Sequence, residues 1–250
     1  RALGGRLQGG GGGVSQADVF CPSAREHARE MFAAGRPVIG VCASGILSRA
    51  VAPLLADKRR EPPVISISED GSVVVPLLGG HRGANRLAQE IAVALKAKAA
   101  VTTAGDVALG VSLDEPPTGW RLANPDNAKL AMARLLSGAG AEVTGDLRAP
   151  WLQGLPQGAG LTIHVTARPV TELGEADLHF APETAMLGVG AARNCPPNEL
   201  AALARGVLDE AGVSTAAVHS INTLDLKADE PAVLALAEAL GVPLRLFEAA

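Results

Sequence analysis

The 250-residue sequence predicts an α/β protein, with two three-layer domains of the parallel-sheet type joined by an irregular middle segment. Three observations predict it. Short apolar runs alternate with longer stretches of helical periodicity, several of them closed by glycine. The apolar runs end in polar, glycine-rich turns, which is where open parallel sheets place their ligands. Apolar residues make up 48% of the chain but aromatics only 2%, so alanine, leucine and valine must build the core. Small side chains of that kind suit helices lying close on parallel strands.

The elements follow in order. Ala24–Ala34 has helical periodicity and is closed by Gly35. Pro37–Cys42, PVIGVC, is a short apolar run and reads as a buried strand. Ser44-Gly45 turns it into a helix over Ile46–Ala56. Val64–Ser68 and Val73–Leu77 alternate around Asp70-Gly71, a hairpin signal. Gly79–Gly83 leads into a helix over Ala84–Ala97, and Ala99–Thr103 reads as a further strand. The β-α-β-β-α-β order defines a first domain over residues 1–125, with Asp114–Pro125 rich in proline and glycine at its edge. A short helix is expected over Asn127–Leu136, but Gly138–Gly160 has weak periodicity, so residues 126–184 are expected to be a linker or a small irregular module. The second α/β unit covers residues 185–250. Its strands are expected at Met186–Gly190, Ala217–Leu224 and Val242–Phe247. Pro196-Pro197 opens one helix that Gly212 closes; Asp229 is the expected N-cap of another, closed by Gly241.

Composition narrows the function. A net charge of -4 makes no general case for nucleic acid or membrane surfaces, although the first half is mildly basic and the second acidic. Cys21, Cys42 and Cys195 are scattered, with no metal-ligand or disulfide spacing, and no apolar run reaches membrane-spanning length. No signal peptide is visible, so a cytoplasmic setting is expected, and with no initial Met the numbering is expected either to begin inside a longer chain or to cover only part of one. The Gly9–Gly13 run lacks the Lys-Ser/Thr of a phosphate loop and reads as a flexible segment. Nucleophile-elbow, HExxH, EF-hand and zinc patterns are all absent.

Four turns can carry chemistry. Cys42-Ala43-Ser44-Gly45 offers backbone N–H groups and a hydroxyl at a helix start, with Arg49 one turn further on. Those groups suit a carboxylate or phosphate, although Ser44 also reads as an ordinary N-cap. Gly79-Gly80-His81-Arg82-Gly83-Ala84-Asn85 combines backbone access, a group that titrates near neutrality and a two-point carboxylate donor. Thr102-Thr103-Ala104-Gly105-Asp106 puts two hydroxyls and a carboxylate at a strand end, which fits either general-base work or an Asx turn. Gly188-Val189-Gly190-Ala191-Ala192-Arg193 lacks the third glycine of a dinucleotide fingerprint, and with Arg193 is better read as an anion nest. Asp225 and Lys227, alternating at the end of the next strand, are expected to point the same way toward it or to form a surface ion pair.

From VIGVCASG through GGHRGAN to VTTAGD, and again from LGVGAARNCPPNEL to TLDLKADEP, the chain resembles the cobalamin biosynthesis protein CbiG family; the second block is similar to the stand-alone protein CobE. The resemblance covers most of residues 20–125 and 185–250, in the family's order. It implies action on a corrin-ring intermediate of vitamin B12 synthesis: the ring lactone of cobalt-precorrin-5A is opened and a two-carbon fragment leaves as acetaldehyde. Such chemistry needs a base to activate water, oxyanion donors and cations for the substrate's acid arms. His81 or Asp106 would be the base. The Ser44-Gly45 and Gly79–Gly83 backbones would be the donors, and Arg49, Arg82 and Arg193 would hold carboxylates. Asn85, Thr102, Thr103, Gly188, Gly190, Asp225 and Lys227 complete the implied binding set. No cofactor or metal of the protein's own is implied, since cobalt arrives within the tetrapyrrole. The implied partners are the corrin intermediate and other cobalamin-pathway enzymes, and a homodimer is compatible.

Departures from the family's wording bear on this. The GHxGGAN turn is one glycine shorter here, GHRGAN, the TTATD-like turn reads TTAGD, and the GIGCRRG-like turn has one arginine fewer. This wording is similar to versions fused ahead of a precorrin-3B C17-methyltransferase, and the C-terminal domain is expected to continue past Ala250. The competing readings are therefore a non-catalytic corrinoid-binding module serving such a methyltransferase, and a nucleotide-binding domain.

Overall fold

The computed structural model describes residues 8–10, 19–21, 23–58 and 60–248. The chain forms two compact units, residues 1–103 and 104–250. Strands β1 (Gln8–Gly10) and β2 (Val19–Cys21) pair in parallel; Gly11–Gly13 of the glycine run lie outside the described residues. Helix α1 (Ala24–Ala33) starts at Ser23, whose hydroxyl accepts the Glu26 N–H at 3.2 Å. Then come β3 (Val38–Val41), α2 (Ser44–Val51), β4 (Val64–Ile67), β5 (Val73–Leu78), α3 (Ala84–Leu95) and β6 (Lys98–Ala99).

The sheet order is β3-β4-β5-β6; β3 runs parallel to β4, β4 antiparallel to β5, and β5 parallel to β6. Strand β4, VISI, is buried throughout because both of its faces are covered. Val64 packs with Val38, Leu47, Ala50 and Val51 under α1 and α2. Ile65 and Ile67 pack with Val74, Ala88, Ile91 and Ala92 under α3. The period-2 alternation of one strand thus feeds two cores, which makes three layers.

Two expectations differ here. The helix expected to reach Ala97 stops at Leu95, where Lys96 takes a left-handed conformation with φ 56°. The strand expected over Ala99–Thr103 is only Lys98–Ala99. The Ala100 N–H still reaches the Val74 carbonyl at 2.8 Å, but two residues on in β5 stands Pro76, which has no N–H to extend the ladder. Thr102 and Thr103 therefore lie in coil.

The second unit begins with α4 (Ala104–Leu109) and β7 (Trp120–Leu122). It continues through α5 (Ala128–Leu136), β8 (Gly140–Thr144), β9 (Gly160–Val165), β10 (Leu178–Pro182) and β11 (Ala185–Gly188). Helix α6 (Pro197–Glu210), β12 (Val218–Leu224), α7 (Pro231–Leu240) and β13 (Leu244–Phe247) complete it.

The α/β class is as the sequence predicts, but the middle segment is far more regular than its composition suggests. It forms a four-stranded sheet, β7-β10-β9-β8, over a core that includes Leu113, Leu152, Ile163, Leu178 and Phe180. Trp151 meets Phe180 edge to face at 4.9 Å and Trp120 at 6.2 Å. The glycines that read as loop signals here serve close backbone approach. A Cβ on Gly140 would lie 2.5 Å from Gly158 Cα, and one on Gly145 would collide with the Val165 carbonyl. Beyond it, β11, β12 and β13 form an all-parallel sheet; α6 and α7 pack together against it through Leu200, Leu208, Ile221, Val233 and Leu236. Among the described residues, no helix is long and apolar enough to cross a membrane.

His179, 3% exposed in β10, sets a pH dependence for this unit. Its Nε2 lies 3.1 Å from the Thr166 carbonyl. Burial holds its imidazole below the ordinary value of 6.5; the Thr166 bond opposes that and the charge of His164 adds to it. Because the folded value is the lower one, the unfolded chain takes up this proton first as pH falls. The contribution is present above about 6.5 and is lost as pH falls toward the folded value. Melting curves between pH 7.5 and 5 are expected to show wild type losing stability relative to His179→Gln; parallel curves would contradict it.

Candidate functional site

The glycine turns fall on different ends of the first sheet, which the strand directions explain. Cys42 follows β3, and its N–H bonds to the Ile67 carbonyl at 3.1 Å, at the end where β3 and β4 finish. Because β5 is antiparallel, Gly79 follows Leu78 at the opposite end, where β3 and β4 begin: Leu78 pairs with Val64, and Val64 with Val38. Ser44-Gly45 and Gly79–Gly83, both expected as donors to one oxyanion, are therefore separated by the hairpin between β4 and β5.

At the β3 end, Ala43 is the cap residue and makes no side-chain cap bond; Ser44 is the first helical residue and is exposed, so the N-cap reading of Ser44 does not hold. Arg49 folds back along α2, and its Nη1 donates to the Gly45 carbonyl at 3.1 Å. Nearby, burial pushes the Cys42 thiol up.

The other end gathers Gly79, Gly80, Arg82, Asn85 and Thr103. Gly79 (φ 79°) and Gly83 (φ 93°) are both left-handed and bracket a single tight turn, Gly80–Arg82. The Gly79 carbonyl accepts N–H groups from Arg82 at 2.9 Å and Ala84 at 3.1 Å. A Cβ at Gly79 would sit 2.6 Å from the Pro62 carbonyl, whereas one at Gly80 would meet nothing within 4 Å. Gly79 is thus a packing requirement and Gly80 an open stretch of backbone. Arg82 is exposed, and its Nη1 donates to the Arg60 carbonyl at 3.3 Å. Asn85 is buried and donates from Nδ2 to Thr103 Oγ1 at 3.0 Å, tying the turn to the coil after β6. Thr102 and Thr103 are exposed beside it. His81 lies in the tight turn and Asp106 in α4; only their backbones are among the described features.

In the second unit, the two turns expected to face each other meet at the carboxyl end of the parallel sheet. The Val189 N–H reaches the Asn222 carbonyl and the Thr223 hydroxyl reaches the Val189 carbonyl, each at 2.9 Å. Gly188 and Gly190 are exposed, and a Cβ added at either would meet nothing within 4 Å, so a ligand can approach their backbone. Arg193 donates from Nη2 to the Leu226 carbonyl at 3.0 Å and from Nη1 to Asp229 Oδ1 at 2.8 Å. That hydrogen bond and charge pull the Asp229 carboxyl down and push the guanidinium further up. Asp225 and Lys227 are not on a strand. They form a tight turn in which Asp225 Oδ1 accepts the Leu226 N–H at 2.8 Å, so the two side chains do not share a direction. Asp229 is not the helix cap either; Glu230 precedes α7, and Pro231 is its first residue.

Glu230 is the residue that pattern reading missed. It is 0% exposed, its Oε1 accepts the Asn194 N–H at 3.0 Å, and its Oε2 lies 3.8 Å from Arg193 Nη1. Asn194, which it holds, is left-handed with φ 60°. An Asn after Arg193 was the available signal, since Asn is the residue other than glycine that most readily takes that conformation. No group of three or more His, Cys, Asp or Glu among the described residues is placed to hold a metal ion.

Fold and site together define an α/β protein that presents glycine backbone and arginine at sheet ends, chemistry suited to an acidic ligand. Residues 26–106 match the family model for the cobalamin synthesis G N-terminal domain, and residues 185–250 match that for the cobalamin synthesis G C-terminus. The chain belongs to the cobalamin synthesis G family. It is 27% identical to a cobalt-precorrin-5A hydrolase of Priestia megaterium, over 89% of this chain and 66% of that protein. It is 29% identical to a cobalt-precorrin-5A hydrolase of Salmonella typhimurium, over 89% of this chain and 69% of that one. Protein CobE of Sinorhizobium is 40% identical over 65 residues, 26% of this chain and 42% of that protein. A solved structure of a cobalamin biosynthesis protein G homolog from Sulfolobus solfataricus aligns with TM-score 0.39 at 21% identity, covering 90% of this chain and 78% of that chain. The chain thus spans about two thirds of the length of the hydrolases it matches.

Proposed function

We propose that the chain hydrolyses the ring lactone of cobalt-precorrin-5A and releases acetaldehyde. What carries the reading is the alignment of cobalt-precorrin-5A hydrolases along 89% of the chain. Water adds to the lactone carbonyl, its oxygen becomes part of a new carboxylate, and the ring oxygen leaves as an alkoxide. Collapse of that alkoxide to a carbonyl breaks the adjacent carbon–carbon bond and frees the two-carbon aldehyde. The electron pair stays on the macrocycle, which takes up a proton.

The residues divide the work by chemistry. His81 or Asp106 takes the proton from water. The Gly79–Gly83 backbone, opened at Gly80, stabilises the oxyanion. Arg82, Asn85, Thr102 and Thr103 at that turn hold acid arms of the macrocycle, and in the second unit Gly188, Gly190, Arg193 and Lys227 form a carboxylate-binding end of their own. Ser44, Gly45 and Arg49 lie at the other end of the first sheet and are left to hold a separate arm. Cobalt belongs to the substrate, and the protein supplies no cofactor.

Incubating the protein with cobalt-precorrin-5A and measuring acetaldehyde tests the reading. Wild type is expected to release it stoichiometrically, and either His81→Ala or Asp106→Ala to slow release by about 100-fold or more. Release intact in both variants removes both residues from proton transfer. Binding that changes the visible spectrum with no aldehyde from wild type means a carrier module instead.

A further inference from the structure

Arg193 is held by three groups that differ in permanence. The Leu226 carbonyl is backbone and stays. Glu230 is 0% exposed and tied to the Asn194 N–H, so it stays as well. It also requires a cation nearby, because a buried carboxylate without one is costly. Asp229 is different. Its side chain is 77% exposed and that of Arg193 58%, and the contact is a single bond from Nη1 to Oδ1 at 2.8 Å. Surface pairs of that kind are worth little and exchange readily. The guanidinium is therefore fixed in place by inner partners, while its outermost partner is a replaceable carboxylate. In the turn that leads to Arg193, Gly188 and Gly190 leave open space above their backbone.

We infer that Asp229 is a built-in stand-in for a ligand carboxylate, and that an acid arm of the substrate displaces it from Arg193. The exchange conserves charge at the guanidinium. It gains wherever the incoming carboxylate makes two bonds in place of one. The arginine does not have to be ordered on binding, since the Leu226 carbonyl and Glu230 already place it. This rests on the reading of the ligand as a polycarboxylate tetrapyrrole.

Absorbance titration of the full chain with cobalt-precorrin-5A tests it. Asp229→Asn removes the competitor and is expected to lower Kd about two- to fivefold. Asp209→Asn, an equal charge change on an exposed residue at the far end of α6, is expected to leave Kd unchanged. In an Arg193→Gln background the gain from Asp229→Asn is expected to vanish. If that background does not fold, the comparison with Asp209→Asn decides. A Kd for Asp229→Asn equal to or weaker than wild type, or the same gain from Asp209→Asn, overturns the inference alone. Wild type that is folded but does not bind overturns the functional reading and this inference with it.

Discussion

Gly79→Ala is expected to destabilise the first unit by about 2–4 kcal/mol, from two independent causes. The residue sits at φ 79°, a conformation that an L side chain adopts only at a cost. In addition, its Cβ would lie 2.6 Å from the carbonyl of Pro62 and the nitrogen of Pro63. Neither atom belongs to a flexible side chain. The Pro63 carbonyl accepts the Val38 N–H at 2.8 Å, so the strain passes into the start of β3 and β4. The neighbouring Gly80→Ala has no positive φ and meets nothing within 4 Å, and is expected to stay within about 0.5 kcal/mol of wild type. Urea denaturation of the pair checks this; equal midpoints would contradict it.

Arg121→Ala is the second large effect, at about 2–4 kcal/mol in the other unit. From β7, Arg121 donates Nη2 and Nε to Glu183 Oε1 at 2.7 and 3.1 Å. It also donates Nη1 to the Leu240 carbonyl, at 2.8 Å, at the end of α7. One side chain therefore satisfies a carboxylate and a helix C-terminus, where a cation also suits the helix dipole. The side chains are only 25% and 21% exposed, so water replaces these bonds poorly. Arg121→Lys keeps the charge but not the fork, and is expected to recover less than half of the loss. A midpoint for Arg121→Ala within about 0.5 kcal/mol of wild type would mean the contact is a surface pair of no weight.

The legible parts of the fold were those where one local rule acts alone. PVIGVC, the Asp70-Gly71 hairpin and the proline-first, glycine-last helix at Pro197–Glu210 each stand near where pattern put them. Asp70 shows how local such a signal is: bonds from the Ser68 hydroxyl and from Ser72 hold its carboxyl down at about 2. The middle sheet was illegible because Gly140 and Gly145 are required by the backbones of Gly158 and Val165, residues far enough away in sequence to leave no local pattern. For the candidate site, residue types marked the turns but not which of them share an end of the sheet. The Asp70-Gly71 hairpin signal already implies that β5 runs antiparallel to β4, and that single reversal, which the GGHRGAN motif itself does not carry, separates it from CASG. Glu230 was hidden for a related reason, since its burial depends on Arg193 and Asn194, the latter 36 residues away.

The most direct measurement is the fate of oxygen from solvent. Turnover of cobalt-precorrin-5A in 18O-labelled water should leave one heavy oxygen in a carboxylate of the corrin product for each acetaldehyde released. Acetaldehyde formed with no label in the corrinoid would contradict attack of water on the lactone carbonyl, and a bound, unreacted substrate would contradict hydrolysis altogether.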